Sequence, residues 1–299
     1  MEWQPRVNRS LESLAKNPGG YRSVGFCEAG NCHNIALVEQ SDTNSLLKYW
    51  RSDRDGETNI ALEFPIRFPK VAPFPDGRLL IADLISPFRE GQAPGKNAVV
   101  LNSDLEPVNS FHIGSSIEDI QIDQSSRIWV SFFDEGVFGN HGWGYGEKNR
   151  LGAGGLICLS VTGELLWEYN SPKSSELIDD CYALNVTGTQ ANFYFYSAFK
   201  LGQNSALGVS EYYDIPLSGC HAFALDGSRF VFSGEYRESP TNFTLLEFPE
   251  FRHSKVKPVV PKPHSFESAR KAVSGRGKWL HVVTNDLWLG YHMDDLPTF

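Results

Sequence analysis

The stretch that decides the fold runs from Ser116 to Asn170: IEDIQID (117–123), RIWVSFFDEGVFG (127–139), a glycine-rich excursion, GGLICLSVTG (154–163) and ELLWEYN (164–170). Ile117, Ile120 and Ile122 are β-branched, while Gln121 and Asp123 fall on the opposite side from Ile120 and Ile122, which is the period of a half-buried strand. Asp123-Gln124-Ser125-Ser126 is a polar tetrad suited to a tight turn. Arg127 to Phe133 is almost continuously apolar or aromatic, as a strand buried on both faces must be. Leu156 to Leu159 is a third apolar run, and Leu165 to Tyr169 is a fourth beyond a turn at Gly163. Four strands joined by tight turns form an antiparallel meander, the unit of one propeller blade.

The same order of signals recurs along the chain. Innermost strands are expected to begin near Tyr21, Phe68, Ile117, Ile178, Gly219 and Phe266, a spacing of roughly 50 residues that suits one blade per repeat. The expectation is an all-β chain: a single six-bladed β-propeller of four-stranded antiparallel blades over residues 1–299, with seven blades as the alternative count. Pro69, Pro73 and Pro75 are tolerable there because the innermost strand of a blade is an edge facing the channel. The last blade shows three clear strands. Either a segment within residues 1–10, Trp3 to Asn8, supplies its outer strand, or the ring closes by packing of blades alone.

The pattern I-x-D-I-x-x-D-x-x-x-x-I-W-V from Ile117, followed by D-E-G-V at 134–137, resembles the two-component-regulator type of propeller repeat. It is also similar to repeats of the NHL and gluconolactonase/regucalcin-like propellers. The match is good only over Ile117 to Phe138. Those families include sensors, scaffolds, lyases and lactone hydrolases, so the resemblance implies the fold and leaves the activity open.

The chain has 299 residues, 41% hydrophobic, enough for the core of one large propeller. No run of 18 apolar residues is present, so no membrane partner is expected. MEWQPRVNRS at the N-terminus lacks the apolar core of a signal peptide. Five cysteines make an odd, sparse set that fits small buried residues in a reducing, cytoplasmic setting. A net charge of −9 argues against nucleic acid as a partner.

Strand alternation places the loops leading into inner strands, and the loops between second and third strands, on one face around the channel. Glu118-Asp119, Asp179-Asp180 and Cys220-His221 then approach one mouth, as do Asp83, Asp134-Glu135 and Glu235. Glu118, Asp119 and Asp180 are candidate ligands of a divalent cation such as Ca²⁺, Mn²⁺ or Zn²⁺, with His221 nearby. The competing reading is that such carboxylates cap turns. The insertion GNHGWGYGEKNRLGAGG (139–155) carries His141, Trp143, Tyr145, Lys148 and Arg150, groups suited to contacting a ligand; otherwise it is a flap that merely packs. Its glycines do not have phosphate-loop spacing. Cys27-x4-Cys32-His33 lacks the second pair of a zinc site, and no G-x-S-x-G is present. The Lys- and Pro-rich stretch Arg252 to His264 reads either as a basic patch or as an outer strand protected against aggregation.

Two functions are therefore expected as alternatives. One is a soluble binding module that recognises a small molecule or a protein partner with the channel-mouth face. The other is a metal-dependent hydrolase or lyase of the gluconolactonase/regucalcin-like type, which the resemblance implies. No catalytic set is recognisable in the sequence.

Overall fold

Apolar runs longer than a half-buried strand needs become strands sandwiched between neighbouring sheets. In the computed structural model six sheets stand radially around one axis, each an antiparallel meander from the channel outwards. The structure describes residues 2–11, 22–143, 150–170, 176–205, 209–250, 252–259, 273–284 and 287–297. Inner strands are Arg22–Phe26, Pro69–Pro73, Ile117–Ile122, Asp180–Thr187, Ala222–Asp226 and Val273–Arg276, defining blades 1 to 6. The expected start near Phe266 lies outside the described residues.

Six apolar clusters hold the ring, one at each blade-to-blade interface. Blade 4 shows how alternation feeds two of them. On its second strand, Gln190–Tyr196, Phe193 and Phe195 pack with Trp129 and Cys158 of blade 3. Tyr194, pointing the other way, packs with Phe223 and Phe232 of blade 5. Full burial of each such side chain stabilises the ring by about 1.5–3 kcal/mol. The seam between blades 6 and 1 is the smallest cluster, built on Leu11, Phe26, Cys32 and Trp288. There Phe26 stacks on the buried His281 at 3.7 Å.

Closure uses the N-terminus twice. Val7–Ser10 pairs antiparallel with Leu287–His292 as the outer strand of blade 6. Glu2–Trp3 runs parallel to Arg252–Pro258, the outer strand of blade 5, as a fifth strand. The segment thus spans two blades, and the buried Trp3 ring packs on Phe243 and Tyr291. Arg252–Pro258 is an outer strand covered in part by this addition, and its Lys255 pairs with Glu235 and Glu238.

The run 127–139 does not remain a strand to its end. The second strand of blade 3 stops at Phe132, and Asp134–Phe138 forms a short helix. Its Gly136 lies so close to the carbonyls of Ser115 and Ser116 that a Cβ would come within 2.9 Å of both oxygens. None of the five cysteines is in a disulfide, and four are buried. Among the described residues, no helix is long and apolar enough to cross a membrane.

Candidate functional site

Inner-strand residues descend the channel in layers. Below the mouth lies a polar plug made from side chains of three blades. Gln121 of blade 3 donates to the carbonyls of Leu184 at 2.8 Å and Gly275 at 3.0 Å, and to Asp119 at 3.0 Å. Its Oε1 accepts from the Val186 N–H at 2.9 Å and from Arg276 at 3.2 Å. Arg276 of blade 6 also donates to the carbonyls of Val186 and Ile122. Asn185 of blade 4 accepts from the Gly277 N–H at 2.7 Å and donates to Phe223 and Gly277 carbonyls. The inner strands can converge this far because Gly275 has no side chain: a Cβ there would sit 1.8 Å from the Phe223 oxygen.

Asp119 belongs just above this plug. Its carboxylate forms an ion pair with Lys70 of blade 2 and accepts from the Ile120 N–H at 2.9 Å and from Gln121. Asp119, expected as a metal ligand, is thus paired with a lysine in this structure. Asp83 is a turn cap, with its buried carboxylate accepting from the N–H groups of Arg67, Phe68 and Ile85.

Of the expected acidic mouth, Glu118 and Asp134 lie within the electrostatic reach of Asp180. Burial, then the charges of Glu118 and Asp134, push the Asp180 carboxyl up to about 7. Among the described residues, no donor lies within hydrogen-bonding distance of Asp180. Among the described residues, too, no three His, Cys, Asp or Glu side chains stand in an arrangement that could hold a metal ion. The set does not fit a divalent cation as expected, and no chemical step is derived through one.

The insertion divides. His141 lies 3.4 Å from Glu135, and its carbonyl accepts from the Phe88 N–H at 2.9 Å. Trp143 is buried, donates its indole N–H to the Ser86 carbonyl at 2.7 Å, and stacks on Phe88 and His112. A large apolar ring on a loop is drawn against the surface beneath it, and Trp143, expected to contact a ligand, here anchors the loop to blade 2. Asp134 receives the Glu135 N–H at the start of the short helix. Arg150 is half-buried. Tyr145 and Lys148 lie outside the described residues.

The structure adds a group of aromatic rings at the mouth over blades 4 and 5, of which only His221 was expected. Tyr182 stacks between Tyr196, at 5.9 Å and 11°, and His221, at 4.7 Å and 21°. Tyr236 meets Tyr182 at 88°, and their hydroxyls are 2.6 Å apart. Phe199 packs edge-on against Tyr182, Tyr196 and Tyr236. Tyr196 is 40% exposed and Tyr236 38%, high for rings inside such a cluster. Tyr196 sits opposite Asp180 in the strand register. Tyr236 is held from three directions. Its N–H donates to the Ser218 carbonyl at 3.0 Å, its hydroxyl meets Tyr182, and its ring lies on Gly219. A Cβ on Gly219 would come 2.6 Å from that ring. The signal in the sequence was positional: Tyr196 and Tyr236 leave the second strands of adjacent blades, as Asp83 does in blade 2.

Comparison with solved structures gives propellers. A catalytically inactive variant of virginiamycin B lyase from Staphylococcus aureus with quinupristin matches at 11% identity over 95% of this chain and 99% of that one, with a TM-score of 0.52. The β-propeller domain of the Trilobed protease from Pyrococcus furiosus matches at 8% identity over 89% and 78%, with a TM-score of 0.50. A putative gluconolactonase is 13% identical over 97% and 94%, with a TM-score of 0.47. At such identities the likeness establishes the β-propeller fold alone. No family model matches the chain, and no curated protein sequence matches it.

Proposed function

We propose that this chain is a binding module whose working surface is the channel mouth over blades 3 to 5. The observation that carries this is the pair of exposed tyrosines, Tyr196 and Tyr236, fixed on a rigid aromatic base beside a carboxylate that lacks a described donor. Fixed aromatic rings with one solvent-facing side recur at recognition surfaces, because they bring contact area at little cost in conformational entropy. The polar groups lower in the channel are consumed by one another and support no such role. The test is a thermal-shift panel of small molecules of all charge types, run on the wild type and on a Tyr196→Ala/Tyr236→Ala variant. Compounds that raise the wild-type melting temperature and leave the variant unmoved are expected. A panel with no hits, or hits that stabilise both proteins equally, would refute this surface.

A further inference from the structure

The geometry points to an organic cation, a compound bearing an alkylammonium group, as the ligand class of the mouth. This rests on the binding reading above and narrows it. Tyr196 lies nearly parallel to Tyr182, and Tyr236 stands at 88° to Tyr182, so the two exposed rings are close to perpendicular to each other. They form a corner about a shared central ring rather than a flat patch. The faces of tyrosine rings carry negative potential, and a corner of them is the arrangement that surrounds a rounded cationic head.

Charge points the same way. Asp180 pairs in register with Tyr196 and lies two residues before Tyr182, and its charge is felt at the Tyr182 phenol. Glu118 and Asp134 add to the same field. Among the described residues, Lys70 is engaged with Asp119, Lys200 with Asp214, and Lys255 with Glu235 and Glu238. An anion would meet carboxylates and ring faces together. A neutral apolar molecule would gain ring contact and nothing from Asp180. A cation gains from both.

The pieces are also fixed in advance. Gly219 seats the Tyr236 ring, Phe199 supports all three tyrosines from the edge, and His221 backs Tyr182. A preorganised pocket loses little entropy when its ligand arrives.

The experiment titrates the full chain with choline and, in parallel, with 3,3-dimethylbutan-1-ol, which has the same shape without the charge. Saturation-transfer NMR and calorimetry report binding. Choline is expected to bind about tenfold more tightly than the neutral isostere. Tyr196→Phe should keep that preference, and Tyr196→Leu, which retains apolar area without a π face, should abolish it; both variants should melt as the wild type does. At pH 8, where the carboxylate is ionised, Asp180→Asn should weaken choline and leave the alcohol unchanged. Equal binding of the two probes would overturn the cation while leaving the mouth as a binding surface. If neither binds and the panel above yields only anionic or neutral hits, the cation class is likewise overturned and the surface stands. No binding by either probe together with an empty panel removes both.

Discussion

The middle of the channel and its mouth are built from the same inner strands, yet they treat polar groups in opposite ways. In the middle, Gln121 and Arg276 hydrogen-bond each other, and together with Asn185 they reach the carbonyls of four blades. At the mouth, Asp180 is half-buried without a described donor, and tyrosines keep much of their surface in solvent. A buried polar group with its partners in place stabilises the fold, while one left unsatisfied costs free energy that the rest of the molecule must offset. The difference supports a structural role for the plug and the recognition role proposed for the mouth, although both are polar and both lie near the axis.

The largest effect should come from breaking the plug. Arg276→Ala removes the donor serving Gln121, Val186 and Ile122, leaving three buried acceptors short of a partner. The expected loss is about 3 kcal/mol or more, measured by chemical denaturation. A variant as stable as the wild type would mean that water replaces the guanidinium, and the plug would lose its structural standing. Lys70→Met should matter less, costing about 1 kcal/mol, because Asp119 keeps the Ile120 N–H and Gln121. Unchanged stability in that variant would move Asp119 from the plug into the field of the mouth.

The fold was legible because blades repeat a physical pattern. The isoleucines of 117–122 alternate, Asp123 tightens the turn by accepting the Ser125 and Arg127 N–H groups, and the residues of 128–132 are buried on both faces. The mouth was legible only as a face. Strand alternation placed Asp180 and His221 there, but whether a carboxylate is neutralised depends on a neighbour from another blade, as Lys70 shows for Asp119. The aromatic base is not legible in the sequence because Tyr182, the pair Tyr196 and Phe199, and Tyr236 come from three separate segments, each of which reads locally as strand or loop. The packing of Trp143 was not legible either, since glycines around an aromatic ring do not say which way the ring turns.

The smallest change in the comparison carries the opposite sign to the others. Asp180 in the folded protein titrates near 7, raised first by burial and then by Glu118 and Asp134. In the unfolded chain an aspartate titrates at about 3.9. Between these values the folded state holds a proton that the unfolded state has released, so stability falls as pH rises through that window and levels off above it. Below about pH 4 both states are protonated and the group contributes nothing to the difference. Asp180→Asn, which has no charge to bury, should therefore melt higher than the wild type at pH 8 and at the same temperature at pH 4. The measurement is a pair of melting curves at each pH. An Asp180→Asn variant less stable at pH 8 would show that the carboxylate is hydrogen-bonded as a structural group, and the mouth would then resemble the plug it is contrasted with. A gain of equal size at both pH values would show that the aspartate's charge is not what the fold resists.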